Sequence, residues 1–341
     1  MKAIVQHEYG SPDTLRLEDV DRPDAGPGQV LVRVRAASVN AADWHVMRGD
    51  PKLARLQLGV RRPKAAVRGR DFAGEVAEVG AGVTHVEPGD EVFGETGMAD
   101  GAFAEYVRAP AGQVAPKPAG LTFEQAAAVP LAGCTALQAL RDVARVQPGQ
   151  RLLVNGASGG VGTFAVQIGK ALGAHVTGVC STGNVELVRS LGADDVVDYT
   201  AEDVVSARQR FDVILDLVGN RRLRELRRVL TERGTLVLSG GGVFDGGSLV
   251  GPMALIISGG LVGRVVRQKI RPFTATPTTE RLTALARLAE SGQVRPVIDR
   301  TYALADVPAA VRYLESEHAR AKVVVTCPDG SSVRILPADL A

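Results

Sequence analysis

The residues most able to do chemistry form one short run, Asn155-Gly156-Ala157-Ser158-Gly159-Gly160-Val161-Gly162. Before it stands an apolar strand pattern, Leu152-Leu153-Val154. After it, Val161, Phe164, Ala165, Ile168 and Leu172 recur at helical spacing. Strand, glycine turn and helix in this order is the context in which a GxGxxG-like match becomes specific. Glycine lets the backbone turn tightly and come close to a pyrophosphate. The free amides of the helix N-terminus then face the anion, aided by the helix dipole. The chemistry implied is dinucleotide binding.

The adenosine end of such a site is read next along the chain. An NAD site offers an acid about 20 residues on, which accepts from the ribose 2′-hydroxyl. Residues 173–184 contain no acid. The second strand ends in Cys180-Ser181-Thr182-Gly183-Asn184, which supplies hydroxyls, a side-chain amide and backbone amides. Nothing there repels a 2′-phosphate, so NADP (as NADPH) is the expected cofactor, with Ser181 and Asn184 at its ribose end. Both residues also suit helix capping, and the two roles can coexist. Residues 171–188 hold no Arg or Lys.

Other chemistries find little support. The five histidines, His7, His45, His85, His175 and His318, form no HxxxH pair, and Cys134, Cys180 and Cys327 form no CxxC. No metal site is expected. No GxSxG elbow occurs, and Ser158 in its glycine turn fits an anion cradle better than a nucleophile.

These residues need two kinds of scaffold. The first 120 residues read as short strands broken by Pro and Gly, with Val30, Val32 and Val34 on one face and Arg33 and Arg35 on the other. That texture predicts a barrel-like β domain. Thr122 and Gln125 form a capping-box pattern before an Ala-rich run. From there strands and helices alternate: helices are expected over 161–172, 185–191 and 221–230, and strands over 175–180, 196–197, 211–218 and 235–239. Such alternation means a doubly wound parallel sheet. A helix over 279–290 precedes extended pieces at 297–298 and 322–325, which are expected to return to the first domain. The fold class is therefore α/β, and the expected domains are 1–120, 121–270 and a return over 271–341.

The chain has 341 residues, 45% hydrophobic and 23% charged, enough for sizeable cores. With 40 basic and 38 acidic residues its net charge is +2, which does not point to nucleic acid as a partner. Residues 246–263 carry no charge but include six Gly and Pro252, too many for a membrane span. This segment is expected to line a substrate cleft or a homodimer interface. The N-terminus is too polar for a signal peptide, and a cytoplasmic location is expected.

Taken in order, the segments GPGQVLVRVRAASVNAADW, RGRDFAG, EPGDEVFG, AAAVPLAGCTALQAL, NGASGGVG, LGADDVVDYT, FDVILDLVG and ARAKVVV resemble the medium-chain dehydrogenase/reductase superfamily, in its zinc-lacking quinone oxidoreductase branch. The likeness runs over essentially the whole chain. It implies a GroES-like barrel, a Rossmann domain, and an active site in the cleft between them. Zinc-dependent members place catalytic ligands where this chain has Asn40, Arg70 and Leu131. The resemblance puts Ser158, Gly159, Gly160 and Val161 at the pyrophosphate, and Ser181 and Tyr199 near the 2′-phosphate. Leu217, Val218, Gly219, Ser239 and Gly240 would line the ribose and nicotinamide side. Arg320 and Lys322 would lie near the nicotinamide end, and Asn40 would face the nicotinamide. Close relatives often carry a basic residue where Gly183 stands.

Without a metal, the hydride acceptor must need little Lewis-acid help. A quinone or an α,β-unsaturated carbonyl fits, because added hydride leaves a delocalised phenolate or enolate. Asn40 and His45 are the candidate catalytic polarisers, and Trp44 and Leu255 the candidate substrate contacts. The alternatives are an enoyl-thioester reductase, whose carrier could dock on the basic run from Arg55 to Arg70, and a non-enzymatic NADPH-binding protein.

Overall fold

A computed structural model describes residues 1–206, 209–239, 253–316 and 319–327. Two sheets dominate. The first has seven strands, the long strand Gln29–Val39 among them. Its neighbours are Asp71–Val79 and Tyr106–Pro110, both antiparallel to it. Val30, Val32 and Val34 are buried as their alternation predicts, but so is Leu31 between them. Val30 pairs with Val79 on one side and Ala109 on the other, and a bulge follows Leu31. The late strand Lys322–Thr326 lies antiparallel to Gln29–Val39 and parallel to Ile298–Ala303. The C-terminal chain thus closes the first sheet.

The second sheet is six-stranded and wholly parallel. Its order is Asp195–Asp198, His175–Cys180, Arg151–Asn155, Phe211–Asp216, Leu230–Leu238, Lys269–Pro272. The edge strand Lys269–Pro272 has no apolar run to announce it and was not expected. It forms because Ile270 finds a buried place beside Leu236 and Leu238. The helix Gly160–Ala171 buries Phe164, Ala165, Val166 and Ile168 against this sheet, and Gly173 at φ +78° ends its turn. The Thr122–Gln125 capping box forms, with Gln125 N donating to Thr122 Oγ1 at 3.2 Å. The helix Pro130–Leu137 is buried on nearly all sides and packs between the helices Gly160–Ala171 and Thr279–Glu290. All-round burial hides the periodicity that would reveal a surface helix.

The apolar stretch is divided by the fold. Residues 246–252, and Gly240 before them, lie outside the described residues. Met253–Val262 is a helix rather than a loop. None of the helices among the described residues is long and apolar enough to cross a membrane.

Candidate active site in the cleft between the two sheets

The first parallel strands end at the glycine turn, where the switch in strand order opens a crevice. Gly156 stands at φ +89°, a conformation that side chains strain to adopt. A Cβ on Gly162 would lie 2.0 Å from Gly156 O, so only glycine lets the helix start this close to the strand. Gly159 is the N-cap of the helix Gly160–Ala171 and brings no side-chain cap. The first-turn amides of Gly160, Val161 and Gly162 are therefore left for an outside acceptor. A Cβ on Gly160 would press on Lys322 Cδ at 3.1 Å and Ala321 O at 3.3 Å, filling that approach. The turn fits a pyrophosphate.

This turn forms one wall of a cavity of about 500 Å³. Ser158, Gly159, Gly160 and Val161 line it, and Ser181, Asn184 and Tyr199 line its ribose end. Leu217 and Val218 follow along the parallel sheet, and Asn40 and Lys322 face them from the barrel side. Gly219 and Ser239 sit just behind: Gly219 N donates to Asp216 Oδ1 at 3.1 Å, and Ser239 N to Asp216 O at 3.2 Å.

The barrel wall is a buried polar network. Lys322 Nζ donates to Asn40 Oδ1 at 2.5 Å and lies 3.6 Å from Asp71 Oδ2. Asn40 Nδ2 donates to Asp71 Oδ2 at 3.0 Å and to Ser38 O at 3.4 Å. Ser38 Oγ and the amide of Leu131 also donate to Asp71. Burial pushes the Asp71 carboxyl up and the Lys322 ammonium down, and each is the other's largest opposing charge. We read the two as an ion pair. Below them, burial also lifts Asp43 to about 7 and Glu95 to about 8. Asp43 Oδ2 accepts from Asn40 N at 2.7 Å and so fixes the start of the helix Ala41–Arg48.

Several expectations change in this light. Both ends of the Asn40 amide are committed, so it has no N–H left to polarise a substrate; it is a wall of the cavity. His45 does not line the cavity. Its ring hydrogen-bonds Asp50 O through Nδ1 at 2.9 Å, stacks on Trp44 at 3.7 Å, and burial lowers its pKa. Trp44, 5% exposed, belongs to the barrel core with Met47 and Phe72, and presents no face for substrate stacking. Leu255 is half-buried against the apolar cluster that holds Ile214, Leu238 and Ile270, with its side chain 3.9 Å from where a Cβ on Gly219 would stand. It backs the coenzyme loop and does not line the cavity.

Arg320 is displaced too. It was expected beside Lys322 at the nicotinamide end, yet its Nη2 stands 3.8 Å from where a Cβ on Gly183 would lie, at the ribose end. Ala321 between them adopts φ +48°, which breaks the strand's alternation and sends the two side chains apart.

Of the positions that hold zinc in other members, Arg70 donates to Asp100 Oδ1 at 3.1 Å and Leu131 offers an aliphatic side chain. A guanidinium cannot act as a ligand. No group of three His, Cys, Asp or Glu among the described residues could hold a metal. The basic run is partly absorbed as well. Arg55 stacks over Tyr9, and Arg68 and Arg70 share Asp100. Arg61, Arg62 and Lys64 remain exposed.

Two acids were missed by sequence reasoning. Asp71 organises the barrel wall, and Asp216 shapes the 217–220 loop through Asn155 Nδ2 at 2.8 Å and two loop amides. Each is a carboxylate at the end of a largely apolar strand, Asp71 opening DFAGEV and Asp216 closing FDVILD, and that placement is the signal that could have found them.

Comparison with known proteins accords with this layout. Residues 26–119 match the family described as the alcohol dehydrogenase GroES-like domain, and residues 191–325 the family described as zinc-binding dehydrogenase. A mouse protein, NAD(P)H oxidoreductase RTN4IP1, mitochondrial, is 36% identical over 95% of this chain and 89% of its own length. An Arabidopsis thaliana protein, NADPH-dependent alkenal/one oxidoreductase, chloroplastic, is 33% identical over 95% of this chain and 79% of its own. The solved quinone oxidoreductase from Coxiella burnetii superposes with a TM-score of 0.82 at 31% identity, over 96% and 99% of the two chains. The expectation of a cytoplasmic location is overturned by these relatives, whose names place them in mitochondria and chloroplasts. The glycine turn, the closing C-terminal strand and these whole-length likenesses together establish that the chain belongs to the medium-chain dehydrogenase/reductase superfamily, in its quinone oxidoreductase branch.

Proposed function

We propose that this protein reduces a quinone or an α,β-unsaturated carbonyl with NADPH. The observation that carries the reading is the single cavity joining the bare glycine turn to the Asn40–Lys322 wall. When bound, NADPH supplies the hydride. The amides of Gly160 and Val161 hold the pyrophosphate, Ser181, Asn184 and Tyr199 the 2′ end, and Leu217 and Val218 the ribose side. Asn40 and Lys322, locked by Asp71, give the reacting end a rigid wall, so orientation is the protein's main contribution. The Asn40, Arg70 and Leu131 set suits an acceptor that delocalises its own charge. Since the polar groups of the wall are engaged with one another, water is the proton source for the product. The names of the relatives, alkenal/one and quinone oxidoreductase, support the same substrate class.

In this reading residues 121–270 form the coenzyme domain, while 1–120 and 271–341 form the catalytic one. A homodimer is part of the proposal. Ile257 and Leu261, one turn apart on the helix Met253–Val262, and Val265 in the turn after it are 52%, 59% and 84% exposed, an apolar stripe suited to a second copy. Leu261→Asp with Val265→Asp should give monomers by sedimentation; an unchanged dimer removes the stripe from the proposal, and a monomeric wild type removes the dimer.

The decisive experiment follows NADPH oxidation with a panel of quinones, enones and acyl thioesters. Turnover of quinones or enones is expected. Turnover of thioesters alone transfers the reading to an enoyl-thioester reductase, and turnover of none overturns it.

A further inference from the structure

From the Rossmann half no Arg or Lys lines the ribose end of the cavity, and residues 171–188 hold none. The fold brings one from elsewhere. Arg320 Nη2 is the one atom within 4 Å of a Cβ built on Gly183, at 3.8 Å. Gly183 sits in the short turn Thr182–Asn184, between Ser181 and Asn184, which both line the cavity. Ala319 and Ala321, on either side of Arg320, line it too. The guanidinium is exposed and has no partner among the described residues. Its backbone, by contrast, is pinned. Arg320 N donates to Asp299 Oδ2 at 3.0 Å, and Ala321 N to Ser158 O at 2.8 Å. Asp198, the acid beside Tyr199, accepts from the Thr182 and Thr200 hydroxyls and forms no ion pair with Arg320.

We propose that Arg320 is the 2′-phosphate cation of this protein and sets its choice of NADPH over NADH. The proposal rests on the coenzyme reading above and adds which residue discriminates. A guanidinium matches phosphate with paired, charge-assisted hydrogen bonds, whereas a 2′-hydroxyl offers it no charge. Arg320 belongs to the segment that closes the barrel sheet, and Gly183 to the parallel sheet. A bound 2′-phosphate therefore ties the two halves across the cleft. Selectivity in this chain comes from the far wall, in place of a basic residue at position 183.

The test is nicotinamide fluorescence titration of the full chain with NADPH and with NADH. Wild type is compared with Arg320→Ala, Arg320→Lys, and Arg320→Ala combined with Gly183→Arg. Arg320→Ala should raise the NADPH dissociation constant about 10- to 100-fold while moving the NADH value by less than about threefold. Arg320→Lys should keep part of the preference. The Gly183→Arg addition should restore it, because that site is open once the guanidinium is gone. Equal losses for both coenzymes would place Arg320 on the shared pyrophosphate and overturn the proposal, as would unchanged NADPH affinity. A wild type that binds neither coenzyme overturns the coenzyme reading itself, and this proposal with it, before any variant is compared.

Discussion

At the glycine turn of the cavity's coenzyme wall the polar groups are backbone amides, at Gly160, Val161 and Gly162. Along the barrel wall they are charged side chains, Lys322 and Asp71, wired through Asn40. The first wall works by leaving side chains out, so its residues are glycines and its amides wait for a ligand. The second works by pairing Asn40, Asp71 and Lys322 with one another, so it is rigid but unforgiving. A buried ion pair adds little net stability over an apolar pair, yet losing one partner strands the other. The lesson is that one wall should fail by obstruction with the fold kept, and the other by loss of stability.

That contrast can be broken by experiment. The largest effect is expected from Asp71→Asn, which leaves Lys322 charged and buried. It should cost about 3–5 kcal/mol, about 4–7 °C in melting temperature, with part recovered in the Asp71→Asn, Lys322→Met double variant. A melting point within about 2 °C of wild type would show that the wall is not held by this pair.

Gly160→Val comes next. The added branches fill the approach to the first-turn amides, so the NADPH dissociation constant should rise more than about a hundredfold, while circular dichroism shows a folded protein. Near-wild-type affinity would put the coenzyme elsewhere.

The third effect is a pH slope. Burial holds Glu95 at about 8 against an ordinary 4.5, and its Oε2 has no hydrogen-bond partner among the described residues. The folded state therefore binds a proton that the unfolded state has released. This stability is full below the ordinary value and is lost as pH rises through the folded one. Melting temperature should fall by about 5 °C between about pH 5 and about pH 9, and Glu95→Gln should flatten the slope. A slope unchanged in Glu95→Gln would assign it to other groups, Asp43 first among them.

A smaller change is expected at the ribose end. Ser181→Asp puts a carboxylate where none exists between residues 173 and 184. It should lower the kcat/KM preference for NADPH over NADH by about tenfold or more. A wild type that already prefers NADH would contradict the reading of that turn. The smallest effect is none at all: dialysis against a strong chelator should leave turnover unchanged, and activity that disappears and returns with zinc would sink metal independence.

Much of the coenzyme wall was legible because its logic is local. Strand, turn and helix are consecutive, and the glycines of residues 156–162 announce the close approach themselves. The helix Thr279–Glu290 and the strand His175–Cys180 were likewise readable from period and caps. The barrel wall was not. Asn40, Asp71 and Lys322 come from three distant segments, and their contact depends on which strands pair. His45 and Trp44 misled because proximity in sequence to Asn40 says nothing of direction: the helix Ala41–Arg48 turns them away from the cavity and into packing.

By itself the sequence determined the parallel sheet, the anion cradle and the absence of an acid from residues 173–184, since each is a short-range pattern of size, period and charge. Only the tertiary structure decided what faces that cradle. The pairing of Lys322–Thr326 with Gln29–Val39 carries Lys322 to Asn40, and the left-handed turn at Ala321 carries Arg320 to Gly183. Neither follows from composition or spacing, because contact between segments nearly three hundred residues apart, as far as Asn40 and Lys322, is fixed by strand register and by one backbone dihedral.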